Sequence, residues 1–143
     1  YNFTLRVPEA IAAQSSYNGS ITYNKKTYRT IQLTDTGANK DARVGGLVIR
    51  VIKGYNDTSK DPYGSEPYTP MPSIALNGNT WHVFRSEKSE MVCDLVVFQT
   101  PTPDGKDMLQ VSGESGACDK DAPGTSPNFS FLRQALSTFT FTK

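Results

Sequence analysis

The chain is poor in several groups on which enzymes and metalloproteins depend. Its 143 residues include one histidine (His82), one tryptophan (Trp81) and two cysteines (Cys93 and Cys118). Two cysteines without a C-x-x-C spacing are too few for a structural zinc site. The sequence also lacks a Gly-x-Ser-x-Gly segment and a glycine-rich phosphate loop. Hydrolases with a nucleophile elbow and P-loop nucleotide binders are therefore disfavoured.

The chain also lacks a concentration of charge and any long apolar run. Its net charge is +1, charged residues make up 20% of the chain, and Lys and Arg are scattered. Nucleic-acid-binding proteins normally carry a basic stripe, and none is present. No apolar run approaches the length that crosses a bilayer. We expect one soluble domain, residues 1–143, without a nucleic-acid partner or a transmembrane segment.

Several features of the sequence are typical of an exported protein. An even cysteine count in an Asn/Ser/Thr-rich chain favours a disulfide between Cys93 and Cys118, and hence an oxidising compartment. Two unrelated buried thiols are the alternative. Asn-x-Ser/Thr sequons begin at Asn2, Asn18, Asn56 and Asn128. The predicted location is periplasmic or secreted, and this prediction allows an export signal and a lipid anchor upstream.

Period-2 alternation and β-branched residues predict strands along most of the chain. Asn77-Gly78-Asn79 has the sequence of a hairpin turn, and Pro103-Asp104-Gly105 marks a second hairpin. The predicted strands cover residues 1–7, 19–23, 27–34, 47–53, 73–76, 80–85, 91–100, 108–112 and 138–142.

Helical spacing is convincing only near the end of the chain. Ser126 is a plausible N-cap, and Pro127 suits the first helical position. Leu132, Ala135, Leu136 and Phe139 follow the spacing of an apolar helix face. A second short helix is an option at residues 8–17. The predicted fold class is α+β: a twisted antiparallel β-sheet with one or two helices packed on it, the C-terminal helix being followed by a final strand.

Four segments of the second half follow one another in a characteristic order. They are SIALNGNTWHVF, MVCDLVVFQTPTPDGKDMLQVSG, NFSFLRQAL and STFTFTK. With the opening YNFTLRVPEA, this order resembles the PsbP/DcrB-like family of small exported α/β proteins and lipoproteins, whereas residues 11–70 match poorly. The resemblance implies a non-enzymatic binding or assembly domain. Some members or look-alikes are periplasmic immunity proteins that block a toxin delivered by a type VI secretion system, so the resemblance implies an inhibitor of this kind.

One irregular segment stands out as a candidate binding loop. Residues 54–72 read GYNDTSKDPYGSEPYTPMP, a composition rich in Tyr, Ser, Gly and Asn that adaptable binding loops favour. An excursion without a role is the alternative. We predict an inhibitor that occludes its protein partner with this loop and with an acidic loop at 113–124. The predicted partner-binding residues are Tyr55, Tyr63, Glu66 and Tyr68 in the first loop and Glu114, Asp119 and Asp121 in the second.

Catalysis and metal binding have weaker support in the sequence. His82 could serve as a base, but a lone strand histidine is ordinarily packed or solvated. Paired carboxylates need only a suitable separation, and nothing in the sequence brings a second acid to Asp94. Asp119-Lys120-Asp121 begins like a calcium loop, but Pro123 stands at the fifth position. We predict no enzyme activity, no cofactor and no metal, with an irregular oxygen-ligated calcium site left open.

Two other kinds of function remain as alternatives. A carbohydrate- or small-ligand-binding domain would use exposed aromatic residues, either Trp81 or the loop tyrosines. Alternation places Trp81 and Val83 on the face opposite His82 and Phe84, so Trp81 is buried if its face is the core face. A buried Trp81 would leave only the loop tyrosines to stack on a sugar and would weaken this alternative. The other is a subunit of a surface assembly or fibre, in which the amino-terminal strand pairs with a neighbour.

Overall fold

The computed structural model describes residues 2–6, 16–23, 26–34, 46–54, 68–86, 93–115 and 127–142. Strands dominate these residues, and one short helix precedes the last strand. The elements are β1 (Asn2–Thr4), β2 (Ser16–Tyr23), β3 (Lys26–Thr34), β4 (Gly46–Ile52), β5 (Tyr68–Leu76), β6 (Asn79–Ser86), β7 (Cys93–Pro101), β8 (Met108–Ser115), α1 (Pro127–Leu136) and β9 (Thr140–Thr142).

Seven of the strands form one antiparallel sheet in the order β2-β3-β4-β8-β7-β6-β5. The pairs β2–β3, β5–β6 and β7–β8 are hairpins between consecutive strands, whereas β4 pairs with β8 across a long stretch of chain. The strands β1 and β9 form a separate antiparallel pair, in which Phe3 is opposite Phe141. The sequence prediction of an antiparallel, sheet-dominated fold is therefore confirmed.

The main hydrophobic core lies on the face of the sheet that carries the odd-numbered residues of β4, β6 and β8. This face contacts α1 and the β1–β9 pair, and Phe3, Leu5, Ile74 and Phe141 pack at its margin. Alternation along each strand directs these residues to one side. The buried members of this core are Leu47, Ile49, Val51, Trp81, Val83, Val96, Phe98, Leu109, Val111, Leu132, Leu136 and Phe139.

The opposite face of the central strands is buried as well. Val48, Ile52, Phe84, Val97 and Met108 are all at most 5% exposed. Strands that are buried on both faces carry apolar residues at consecutive positions instead of alternating ones. The run Val96-Val97-Phe98 in β7 follows this rule. Three of the polar residues on the second face are fully buried: Gln99, Gln110 and Ser112, each at most 1% exposed.

Two hairpins form as the sequence predicts. In the turn between β5 and β6, Asn77 has φ 45° and Gly78 has φ 78°, the left-handed conformations of a type I′ turn. In the longer connection between β7 and β8, the backbone N–H of Gly105 donates to the carbonyl of Thr102 at 2.8 Å. Gly105 has φ 67°, a value that glycine adopts at little cost.

The helix α1 lies over β8 and β7, and its buried residues are those of the predicted apolar face. Leu132, Ala135 and Leu136 are at most 1% exposed, and Phe139, just beyond the helix, is fully buried. The helix approaches β8 closely at Gly113, where a Cβ atom would stand 3.3 Å from Leu132 Cγ and Cδ1. Glycine at this position therefore permits the observed helix–sheet distance.

Three sequence predictions need correction or lie beyond the described residues. Residues 68–72 belong to β5, so the predicted loop 54–72 was wrong at its second end. Residues 113–115 likewise belong to β8, so the acidic loop begins later than predicted. Ser16 and Tyr17 belong to β2, and the rest of the optional helix at 8–17 lies outside the described residues.

Candidate functional site

The sheet has two distinct ends, and the two predicted partner-binding residues that the structure describes lie at one of them. We call the upper end the one at which β4 begins (Gly46), β6 ends (Ser86) and β8 ends (Ser115). The lower end carries the turn Asn77–Gly78 and the connection 102–107. In an antiparallel sheet, successive strands begin and end at opposite ends, so the two ends present different connections.

Tyr68 and Glu114 lie at the upper end, and each is adjacent in sequence to a residue of the same row of paired residues across the sheet. That row consists of Gly113, Val96, Arg85 and Thr69, which are paired in turn from β8 to β5. Glu114 follows Gly113 in β8, and Tyr68 precedes Thr69 in β5. Three strand spacings of about 4.8 Å separate the backbones of these two residues by about 14 Å.

The remaining predicted site residues lie outside the part of the chain that the structure describes. These are Tyr55, Tyr63, Glu66, Asp119 and Asp121, together with Cys118. Cys93 is the first residue of β7, and its pairing with Cys118 stays a prediction. One described end of each predicted loop, at Tyr68 and at Glu114, nevertheless lies at the upper end of the sheet, whereas Gly54 at the start of the first loop lies at the lower end.

The structure also brings together polar residues that sequence reasoning did not connect. Arg50 is paired with Gln110, Gln110 with Gln99, and Gln99 with His82, so that four adjacent strands each contribute one polar residue. Ser73 of β5 extends the series, because its Oγ lies 3.1 Å from His82 Nδ1. We call Arg50, Gln110, Gln99, His82 and Ser73 the transverse polar row.

Burial varies along the transverse polar row. Gln110 and Gln99 at its centre have no solvent exposure, whereas Arg50 and His82 are partly exposed and Ser73 is exposed. The guanidinium of Arg50 donates to Gln110 Oε1 at 3.4 Å, a long hydrogen bond. The row thus runs from the sheet's interior to its β5 edge, where a hydroxyl and an imidazole are accessible together.

The Ser73–His82 pair has the separation of a nucleophile and a base, but it is a pair and not a triad. A hydrolytic triad also needs an acid that orients the imidazole. Among the residues that the structure describes, no carboxylate is bonded to His82. The pair lies where β5 is irregular, between Met71 and Ile74, and such bulges redirect side chains at sheet edges. The signal available in the sequence was the single histidine alone, since nothing marked Ser73 as its neighbour.

Ser112 adds an unusual feature beside the transverse polar row. It lies two residues beyond Gln110 on the same face of β8 and is 1% exposed. Its hydroxyl has no hydrogen-bond partner in the described structure. Leaving a buried polar group unsatisfied costs about 1–3 kcal/mol, which a bonded water or a ligand atom would remove.

At the lower end, Asp107 joins the connection 102–107 to the end of β4. Its carboxylate accepts hydrogen bonds from Lys53 Nζ at 2.7 Å and from the backbone N–H of Gly54 at 2.9 Å. Burial would raise the pKa of Asp107, but these two hydrogen bonds and the positive charge of Lys53 outweigh it, and the pKa lies below its ordinary value. The carboxylate is therefore a structural anchor that is ionised at neutral pH.

Trp81 belongs to an aromatic cluster inside the main core. Its ring centroid lies 5.3 Å from that of Phe139 and 6.5 Å from that of Phe98, both in edge-on geometry. Phe139 in turn contacts Phe3 and Phe141 of the β1–β9 pair. Because Trp81 is fully buried, it is not available to stack on a sugar, and the carbohydrate alternative loses one of its two aromatic candidates.

An open groove lies beside the β1–β9 pair. Its volume is about 530 Å³, and it is lined by Thr4, Leu5, Arg6, Thr138 and Thr140. The backbone N–H of Arg6 donates to Thr138 Oγ1 at 2.9 Å, which ties the groove's two walls together. Its polar groups are those of exposed backbone and threonines, with one guanidinium.

The described residues include no group of three or more His, Cys, Asp or Glu side chains arranged to hold a metal ion. In the same residues, no helix has the length and apolar character needed to span a membrane. No protein-family model, curated protein or solved structure matches this chain, so the resemblance to the PsbP/DcrB-like family stays a prediction.

Proposed function

We propose that this chain is a non-enzymatic, exported protein-binding domain that acts as an immunity-type inhibitor. Its proposed location is the periplasm or the extracellular space, and its proposed class is α+β with α1 as the covering layer. The observation that carries the proposal is the position of Tyr68 and Glu114, about 14 Å apart at one end of the sheet. Each of the two loops predicted to bind a partner therefore has one described end at the upper end of the sheet.

The proposed mechanism is occlusion of a partner's groove by this end of the sheet. A tyrosine contributes a large contact area at low entropic cost, and a carboxylate pairs with basic groups of the partner. A rigid sheet holds both loop ends at fixed positions, which lowers the ordering cost of binding. The proposed partner is a secreted toxin or a cell-wall enzyme with a basic cleft.

The test is an affinity capture from periplasmic and secreted fractions with mass spectrometry as the readout. The bait is the purified chain, and the test variant carries Tyr63→Ala, Tyr68→Ala and Asp121→Ala. The matched control carries Lys106→Ala, because Lys106 is exposed at the lower end. We expect one stoichiometric protein with the unmodified chain and the Lys106 variant, and its loss with the triple variant.

A second step distinguishes inhibition from simple binding. The recovered partner is titrated with the purified chain while its own enzymatic or toxic activity is measured. Inhibition that is complete at one equivalent supports the proposal. Full activity of the saturated complex, or no partner recovered from any fraction, would overturn it.

A small polar ligand is a second candidate, and the transverse polar row favours it. The partly exposed guanidinium of Arg50 and the hydroxyl of Ser112, which has no described partner, lie on the same face of the sheet as the buried amides of Gln99 and Gln110. These groups suit a ligand rich in hydroxyl or carboxylate oxygens. A glycan and organic-acid array, read with the unmodified chain and with Arg50→Leu, tests this candidate. Binding that is unaffected by Arg50→Leu would exclude the row as its site.

A further inference from the structure

The two outermost strands of the seven-stranded sheet, β2 and β5, differ in their capacity to accept another strand. An edge strand presents a row of unpaired backbone N–H and C=O groups, and proteins usually protect it with proline, charge or a bulge. Among the described strands, β3 alone pairs with β2, and β6 alone pairs with β5. The protection of each edge follows from its residues and from its register.

The β5 edge is protected. Leu76 and Asn79 flank the two-residue turn and form a hydrogen-bonded pair, and the ladder continues through Ile74–Trp81 and Met71–Val83. Since Met71 is bonded to β6, the preceding residue, Pro70, has the position whose backbone N–H would face outward. Proline lacks this N–H, which a neighbouring strand would need as a donor. The bulge between Met71 and Ile74, which contains Pro72, bends the same edge. A further strand would meet an interrupted row of donors here.

The β2 edge has none of these protections. Residues 16–23 read SYNGSITY, without proline and without charge. All eight residues pair with β3 in an unbroken register. Tyr23 and Lys26 flank a two-residue connection and form a hydrogen-bonded pair, so alternate residues from Tyr23 back to Tyr17 direct their amides toward β3. The outward amides are those of Ser16, Asn18, Ser20 and Thr22.

We propose that the β2 edge is a homodimerisation surface, on which β2 of a second copy pairs antiparallel about a two-fold axis at Gly19. This register places Ser20 opposite Asn18 of the partner subunit and Thr22 opposite Ser16 of the partner subunit. All four outward residues of each copy then form hydrogen-bonded pairs. The two seven-stranded sheets become one continuous sheet.

A second copy fits this edge for two reasons that lie in its sequence. The strand is uncharged, so self-pairing sets no like charges opposite each other. The axis at Gly19 also sets Tyr17 opposite Ile21 of the partner subunit, and pairs of an aromatic and a β-branched residue stabilise antiparallel strands. An isologous pairing of this kind closes on itself and stops at two copies.

The first test measures mass as a function of concentration by sedimentation velocity. The chain is produced without N-linked glycans, since Asn18-Gly19-Ser20 is a glycosylation sequon. The proposed interface is a single strand pair, so we expect a weak dimer that forms between about 1 µM and about 1 mM. The mass should rise from 15.7 kDa toward twice that value. A monomer throughout this range would overturn the proposal.

Proline at position 20 tests the role of the edge directly. Ser20→Pro removes an outward donor and leaves the ladder between β2 and β3 intact, because the amide of Ser20 is not part of that ladder. The matched control is Ser20→Ala, which keeps the amide. We expect Ser20→Pro to remain monomeric with an unchanged circular dichroism spectrum and Ser20→Ala to dimerise. Dimerisation of the proline variant at the unmodified chain's concentration would overturn the proposal.

A charge exchange at Gly19 tests the register without proline. In the proposed dimer the two copies of residue 19 are directly opposite, so Gly19→Lys or Gly19→Glu sets like charges together and should abolish dimerisation. Mixing the two variants sets opposite charges together and should restore a dimer that weakens with added salt. Failure of the mixture to associate, while the unmodified chain dimerises, would exclude the axis at Gly19.

Discussion

At the scale of single residues, Asn77 both shapes the turn between β5 and β6 and holds the last strand. Its φ of 45° is unfavourable for most residues, and asparagine and glycine tolerate it best. Its side-chain amide donates to the carbonyl of Phe139 at 2.7 Å and to Thr140 Oγ1 at 3.1 Å. The turn is therefore bonded to Phe139 and to the first residue of β9.

Substitution of Asn77 separates these two contributions. Asn77→Gly keeps the conformation and loses the hydrogen bonds, so we expect the free energy of unfolding to fall by about 1 kcal/mol. Asn77→Ala loses both and should cost roughly 1–2 kcal/mol more. Urea unfolding measures both variants, with Lys106→Ala as the exposed control, expected within about 0.5 kcal/mol of the unmodified chain. Equal stability of the glycine and alanine variants would contradict the role of conformation.

Asp107 predicts how stability depends on pH. Its pKa is lower in the folded chain than in the unfolded chain, so the folded state favours the ionised carboxylate. The resulting stabilisation is fully present above the unfolded pKa of about 3.9 and is lost as the pH falls through the folded pKa. We expect Asp107→Asn to be less stable than the unmodified chain at pH 6, with the difference shrinking below about pH 4.

Thermal unfolding of both chains between pH 6 and pH 2.5 makes this measurement. Lys106→Gln is the control, because it removes a neighbouring exposed charge without touching Asp107. A difference between Asp107→Asn and the unmodified chain that stays constant down to pH 2.5 would show that the carboxylate's ionisation does not contribute.

At the scale of secondary-structure elements, the contact between Gly113 and Leu132 sets the distance from α1 to β8. Gly113→Ala would bring its Cβ to 3.3 Å from Leu132 Cγ, so we expect a loss of about 1 kcal/mol. Leu132→Ala should cost about 2–5 kcal/mol, because it removes a fully buried side chain. In the double variant the added Cβ meets no leucine. The loss of stability in the double variant should therefore be smaller than the sum of the losses in the two single variants.

Chemical denaturation of the three variants gives the coupling energy. Gln134→Ala, on the exposed side of α1, serves as the control, with an expected change below about 0.5 kcal/mol. Strictly additive losses would mean that Gly113 and Leu132 do not limit each other.

The sequence predicted those elements whose signals are local. Asn77-Gly78 identified the β5–β6 hairpin, and the spacing of Leu132, Ala135 and Leu136 identified α1. It failed at Tyr68–Pro72, because Pro70 and Pro72 argue against a strand unless that strand is an edge. Whether a strand lies at an edge depends on the order of all seven strands, which no local pattern contains.

The transverse polar row could not be predicted for a related reason. Arg50 and Gln110 are 60 positions apart and meet only because β4 pairs with β8. The Ser73–His82 pair depends on the irregularity between Met71 and Ile74. For the upper end, the sequence supplied Tyr68 and Glu114 as separate candidates, and only the strand order brings them to the same surface.

At the scale of the whole molecule, the strand order predicts where backbone amides are protected. The strands β8, β7 and β4 lie at the centre of the sheet and are buried on both faces, so their amides should exchange with solvent most slowly. Within β2, the amides of Gly19 and Ile21 should be protected. Those of Asn18 and Ser20 should exchange rapidly in dilute solution.

Hydrogen exchange followed by nuclear magnetic resonance resolves this alternation residue by residue. Raising the protein concentration should slow the exchange of Asn18 and Ser20 if a second copy pairs with β2. Uniform protection along β2 in dilute solution would contradict the assignment of its outer side as an open edge.

The transverse polar row also bears on how the strands find their correct alignment during folding. If a central strand shifted by one residue, Leu109 or Val111 of β8 would replace Gln110 among the polar residues, and Gln110 would enter the hydrophobic core. Such an alignment would bury an amide without a partner, so the row penalises misaligned pairings of β4, β8, β7 and β6. In the other direction, Arg50 is paired with Thr30 of β3, and Thr30 is paired with Gly19 of β2, which has no side chain to misplace. Errors of alignment, and the exchange of strands between molecules that can follow from them, are therefore penalised least at the edge that we propose as the dimer surface.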